Sequence, residues 1–364
     1  MIKNFYLKHK DIIHLWFVYI LIIHSLPLFF SFLGFTKELP FNLKTYLIDF
    51  WGYYWDGAHY LKIVQSGYSY PLQAFFPGYP LLLKFLDLFL PFTLIYKINI
   101  FLTLPLIIQL KNLLQKMKFN ENEIFYSIIA FLSFPTSFFL QANYTEALYI
   151  LISAWGLNLL LEKNYSKTAF AGFLLSFVKI TSTVFSLVFL IELIKEFKSK
   201  LFLNLKNWKN LIFVFITFLG IIFYFSFLQY QFRDFTIFFK AQGEWGRATQ
   251  VIPFISEFQV IKSKFIFQKT TEVLVFLFGI FLFIYSYKKI PQPLYLFSIL
   301  HFLIPLATGT FLSINRLFLL SFPVLLWFFA DIYKRKNIFW IIVSIMILVQ
   351  ITGIALFIKG HFIG

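Results

Sequence analysis

The sequence contains no cysteine. That excludes a disulfide framework, a thiolate nucleophile and any metal site built on sulfur, and it leaves the redox compartment open. Charge is scarce too: 13% of the 364 residues are charged, against about a quarter in an ordinary globular domain. Acids are the scarcest, with 16 Asp and Glu facing 32 Lys and Arg. Also missing are a Gly-rich phosphate loop, an HExxH zinc pair, and an Asp-x-Asp of the kind that holds a metal on a nucleotide diphosphate. A soluble nucleotide substrate is therefore not indicated.

What is present is apolar. Hydrophobic residues make up 60% of the chain and the mean hydropathy is +0.78. Runs of roughly 20 apolar residues, the length of a membrane span, recur from end to end. The spacing predicts an all-α polytopic membrane protein with residues 1–364 forming a single membrane domain. The first run, Ile12 to Gly34, follows Lys3, Lys8 and Lys10. It is longer than a signal-peptide core and lacks a small-residue cleavage site, so it reads as a retained span. Further segments run Thr93 to Leu110, Ile124 to Leu140, Ala147 to Leu161, Thr168 to Ile194, Leu211 to Leu228, Val273 to Tyr287, Leu294 to Gly309, Leu317 to Phe329 and Ile338 to Phe357. No repeat and no polar interdomain linker is visible.

The formal charge of +16 does not mark a nucleic-acid binder, because no basic stripe with interleaved aromatics stands outside the apolar runs. The lysines cluster in short connections, the positive-inside pattern of a chain whose partners are membrane lipids. Charge places the N-terminus in the cytoplasm. A single crossing by Thr168 to Ile194 would put Lys195, Lys198, Lys200, Lys206 and Lys209 outside, so two arms broken near Lys179-Ile180-Thr181-Ser182 are expected there. Arms this short do not span about 30 Å of hydrocarbon unaided; they need a thinned bilayer or protein beside them. The expected topology is about nine crossings plus the broken pair, about eleven apolar segments in all. It leaves two long outer loops, residues 35–92 and 231–272, where chemistry is expected.

In the first outer loop, Asp56 precedes a helical stretch, Gly57 to Ser66, stopped by Gly67. Asp56 fits a helix cap and fits equally a general base, with His59 one turn along the same face to share a proton. Ala74-Phe75-Phe76-Pro77-Gly78-Tyr79-Pro80 opens a short apolar helix to about Leu90, either an interfacial anchor or one wall of a cleft. Asn143-Tyr144-Thr145-Glu146 fits a capping box and also puts a second acid on the same membrane face as Asp56. Cations able to hold an anion are Lys179, Arg247 in Glu244-Trp245-Gly246-Arg247, and Arg316 in Ser313-Ile314-Asn315-Arg316.

Taken in order, Trp55-Asp56-Gly57-Ala58-His59-Tyr60, Gly67-Tyr68, Phe75-Phe76-Pro77-Gly78-Tyr79-Pro80 and Tyr144-Thr145-Glu146-Ala147-Leu148 resemble the PIG-V family of membrane mannosyltransferases. Gly172 to Ser182, Trp245-Gly246-Arg247 with Pro253-Phe254, and Arg316 followed by Phe322-Pro323 fit the same pattern in the same order. The clear match covers about Trp51 to Ser182. The resemblance implies a GT-C glycosyltransferase fold and a site on the outer or lumenal face. It also implies a polyprenyl-phosphate-linked sugar as donor and a lipid or glycan hydroxyl as acceptor. It makes Asp56 the candidate catalytic base and Glu146 a second acid of the site. His59, Tyr60, Tyr79, Tyr144 and Trp245 are then expected to contact substrate. Lys179, Arg247 and Arg316 are assigned to the donor phosphate on charge alone. A single phosphate leaving group requires no divalent ion, so neither metal nor cofactor is expected.

Two other classes remain in view. A secondary transporter or lipid flippase would place its substrate at the Lys179 break, but such folds carry internal repeats. An assembly subunit would show no transfer and would hold a stable partner.

Overall fold

The computed structural model describes residues 2–34, 51, 55–197, 208–245, 266–307 and 311–363. Every regular element among them is helical. Apolar runs take this form because in hydrocarbon the backbone must satisfy its own polar groups. Five helices are long and apolar enough to cross a membrane: Tyr6–Phe32, Ile98–Lys116, Gln268–Ser286, Ile314–Tyr333 and Lys336–Ile358. Asn210–Ile216 and Leu219–Phe232, bent by 44°, make a sixth if counted together. Glu146–Leu161 and Gln292–Leu306 are apolar but shorter. The chain is a helical, multi-pass membrane protein.

Burial separates the axis of the bundle from its rim. In Ile314–Tyr333, 83% of the most apolar window is buried, against 22% in Tyr6–Phe32. The first helix therefore presents most of its apolar surface outward, and Ile314–Tyr333 is wrapped by its neighbours. Polar side chains stitch these layers together. Trp16 Nε1 donates to the Ile100 carbonyl at 3.0 Å, and Ser127 Oγ to the Leu326 carbonyl at 2.7 Å.

Besides Leu211 to Leu228, divided at the bend already described, two expected segments have different bounds. Ile124 to Leu140 is not one helix: Glu121–Leu132 stops before Pro135, which cannot continue it, and a short 3-10 turn, Ser137–Leu140, follows. The carbonyls freed at that stop are not left bare. Gln350 Nε2 donates to Leu132 and Phe134 at 3.0 and 2.9 Å. Likewise Thr93 to Leu110 is divided into the single turn Phe92–Ile95 and the longer helix Ile98–Lys116.

The outer segments are fastened to this bundle by three devices. Asn143 takes the Tyr79 hydroxyl on Oδ1 at 2.8 Å, gives Nδ2 to the Gly57 carbonyl at 3.3 Å, and gives its backbone N–H to the Trp51 carbonyl at 2.7 Å. Tyr224 donates to the Gln73 carbonyl at 2.7 Å. Gly78, first residue of helix Gly78–Asp87, lies so close to the next layer that an added Cβ would meet the Phe177 carbonyl oxygen at 2.7 Å. Phe177 is two residues before the break at Lys179, so this contact sets the outer helix against that break.

Candidate active site

The Thr168 to Ile194 segment breaks where its charge pattern predicts. Tyr165–Val178 ends at Lys179, whose backbone is extended (φ −152°, ψ 149°), and after the 3-10 turn Ile180–Ser182 the chain resumes as Thr183–Phe197. An extended residue inside an apolar segment lifts its side chain out of the helix wall, and here it carries the ammonium into a cavity.

That cavity has a volume of about 400 Å³. Six of the residues singled out from sequence line it: Asp56, His59, Tyr60, Lys179, Trp245 and Arg316. They come from segments far apart in the chain and form two different walls.

One wall is charged. Arg316 Nη1 donates to Asp56 Oδ2 at 2.6 Å across 260 residues of sequence. Its Nε lies 3.5 Å from Glu146 Oε1, close enough for an ion pair although the hydrogen bond is not well formed. Lys179 Nζ donates to the same Glu146 oxygen at 2.7 Å. Two acids and two bases thus form a ladder, Asp56, Arg316, Glu146, Lys179, with formal charges summing to zero. The Arg316 guanidinium also sits over the Tyr144 ring, 5.0 Å from its centroid, a cation–π contact in a desolvated setting. Beneath Lys179, Tyr149 meets His301 Nε2 at 2.8 Å. His301 Nδ1 lies 2.8 Å from the Phe297 carbonyl, which can only accept, so Nδ1 carries the proton and Tyr149 is the donor to Nε2.

The facing wall is aromatic. The His59 ring centroid lies 4.6 Å from that of Trp245 and 5.2 Å from that of Phe75, and Phe75 and Trp245 are 5.8 Å apart. The indole N–H of Trp245 is buried without a partner among the described residues. Burial holds the His59 imidazole below its ordinary pKa, against a smaller opposing pull from the Asp56 carboxylate, so the ring is neutral at neutral pH. A neutral imidazole accepts or relays a proton.

Both local capping expectations fail. Asp56 is the first residue of its helix and Trp55 is the cap, with no side-chain cap bond; the Asp56 carboxylate turns to Arg316 instead. The capping box at Asn143 and Glu146 does not form, because Thr145 is the cap and makes no side-chain cap bond. Asn143 is taken by Tyr79 and Gly57, and Glu146 by the two cations. A buried carboxylate beside a cation outweighs a cap bond, since leaving either charge unpaired costs several kcal/mol.

The remaining expected residues stand elsewhere. Glu146 is 1% exposed and lies behind Arg316 and Lys179, not on the cavity surface. Tyr79 and Tyr144 are buried beside it and do not line the cavity either. Arg247 falls outside the described residues. The sequence reading overlooked Gln242, which lines the cavity and donates Nε2 to the Ala74 carbonyl at 3.2 Å. The signal was available, since Gln242 precedes Trp245 by three residues and so shares its side of helix Ile237–Glu244.

Chemically the cavity joins a carboxylate, a lysine with two N–H groups beyond its bond to Glu146, an arginine clamp and an aromatic face. Comparison with family models, with curated proteins and with solved structures finds no match to the chain.

Proposed function

We propose that the chain is a membrane glycosyltransferase, a mannosyltransferase of the PIG-V kind, that moves a sugar from a polyprenyl-phosphate donor to a lipid-linked or glycan hydroxyl. The observation that carries this reading is the convergence of Asp56, Lys179 and Arg316 on one cavity faced by His59, Phe75 and Trp245. Glycosyl transfer from a lipid phosphate asks for those groups: a base for the acceptor, a cation for the departing phosphate, and an apolar face for the sugar ring.

The acceptor oxygen attacks the anomeric carbon as the bond from that carbon to the phosphate oxygen breaks. The hydroxyl proton passes to Asp56, and the electron pair of the broken bond leaves on the phosphate, held by Lys179. Direct displacement inverts the anomeric centre. Arg316 donates Nη1 to Asp56 Oδ2 at 2.6 Å and so occupies one oxygen of the base. A phosphate arriving beside Lys179 offers Arg316 a second anion and loosens that hold. His59, one turn beyond Asp56, stays neutral and can carry the proton onward.

In this reading about nine crossings and the broken pair at Lys179 put the N-terminus in the cytoplasm and the cavity on the extracytoplasmic face. Helix Gly78–Asp87 fits a cavity lying at one membrane surface. Leu81 and Phe85 on this helix and Leu88 and Phe89 just beyond it are exposed, while Tyr79, Pro80 and Leu83 face inward, as suits a helix lying in the membrane interface.

The test is transfer in membranes supplied with labelled polyprenyl-phosphate mannose. Asp56→Asn is expected to lose about 10²–10⁴ of the rate, the range of a general base. Unchanged transfer by the mutant, in protein that inserts normally, removes Asp56 from this role.

A further inference from the structure

We infer that Glu146 acts through Lys179 and Arg316 as the counter-ion that sets how strongly the site holds a phosphate, and that its task is to let the prenyl phosphate product go. The inference rests on the transferase reading and deepens it. It assigns to Glu146 a positioning role in place of contact with the reacting atoms.

Placement comes first. Asp56, Lys179 and Arg316 all line the cavity, whereas Glu146 stands behind the two cations at 1% exposure. Its Oε1 receives Lys179 at 2.7 Å and lies 3.5 Å from Arg316, so one oxygen engages both. Its Oε2 has no hydrogen-bond partner among the described residues. The carboxylate sits in the first turn of helix Glu146–Leu161, where the helix dipole favours a negative charge. Among the described residues its polar contacts are thus with the two cations.

Charge then decides the consequence. The four side chains of the ladder sum to zero. A donor phosphodiester brings one negative charge, and the prenyl phosphate monoester left after transfer brings up to two. With Glu146 present the occupied site is negative by one with donor and, once Asp56 has given up the acceptor proton, by as much as two with product, so the product is then the less favourably held. Without Glu146 the empty site is positive by one, and both ligands, the product above all, are retained. A carboxylate behind the phosphate cations thus trades binding strength for turnover, which is where binding energy common to every bound state is of least use.

The experiment measures binding of farnesyl phosphate to the full chain in nanodiscs, beside turnover with the labelled donor. Glu146→Gln is expected to bind farnesyl phosphate roughly tenfold or more tightly than the parent, the size of one charge acting over several ångströms at an effective dielectric near 20. Its kcat and KM fall together. Glu146→Asp, which keeps the charge, stays close to the parent in both. If Glu146→Gln does not fold, Lys179→Met is compared with Lys179→Met/Glu146→Gln, which leaves Asp56 and Arg316 as a balanced pair; the double variant is expected to bind more tightly than the single one. Weaker or unchanged binding in the Gln variants overturns the inference, and a kcat collapse with unchanged binding would make Glu146 catalytic. Either result leaves the transferase reading standing if the parent binds farnesyl phosphate and Lys179→Met weakens that binding. A parent that binds none overturns the phosphate site and this inference with it.

Discussion

Two buried lysines show how differently the same group can be housed. Lys179 stands at a helix break, meets Glu146 at 2.7 Å and opens onto a cavity. Lys97 stands just before helix Ile98–Lys116, is 4% exposed, and its ammonium has no hydrogen-bond partner among the described residues. The first is compensated by an acid and has room for a ligand. Among the described residues the second has neither, and its long apolar stem is what the surrounding core accommodates. Burial of a charge is therefore no sign of function by itself; a matched counter-ion and an adjoining space are what distinguish Lys179.

The largest effect should come from removing the compensated lysine. Lys179→Met leaves Glu146 facing Arg316 alone, and loss of one partner of a buried pair costs about 3–5 kcal/mol. A drop of several degrees in the thermal midpoint in detergent is expected, together with loss of farnesyl phosphate binding; retained binding would end the distinction between the two lysines. Next comes the backbone that presents Lys179. Gly78→Ala forces a Cβ to within 2.7 Å of the Phe177 carbonyl oxygen, which cannot swing aside, and about 1–3 kcal/mol of stability should go with it. Thermal unfolding and donor KM should both worsen, since Phe177 leads directly into the break.

Lys97→Met should move the other way. Replacing a buried ammonium that has no partner among the described residues by an apolar group of similar length is expected to stabilise by about 1–2 kcal/mol and to leave transfer unchanged. A destabilised Lys97→Met would mean that the two lysines are alike after all. The smallest effect belongs to Tyr79→Phe, which removes one hydrogen bond to Asn143 and should cost about 1 kcal/mol. Because Tyr79 does not line the cavity, its donor KM should hold.

How far the sequence could be read follows from the range of each interaction. The break at Lys179 was legible because the charge on either side of the run disfavours one unbroken crossing, and helix Asp56–Ser66 because Gly67 takes a positive φ (76°) at its end. Helix Glu146–Leu161 was legible within a residue from its apolar run. The capping expectations at Asp56 and Glu146 failed for the opposite reason. Their true partner, Arg316, lies 260 residues beyond Asp56 in the chain, and no local pattern records such a pairing. Lengths of the apolar runs misled where proline intervened, as at Pro135, since hydropathy is blind to a missing N–H. The same reading grouped Tyr79 and Tyr144 with the substrate contacts, although they pack behind them.

The charge ladder also has a place in time. Asp56, Glu146 and Lys179 leave the ribosome well before Arg316, and until that residue arrives the nascent site is one positive charge short. A buried unpaired carboxylate is costly enough to keep such a site from closing. Closure of the charged wall therefore depends on the segment that carries Arg316, 260 residues after Asp56 in the chain.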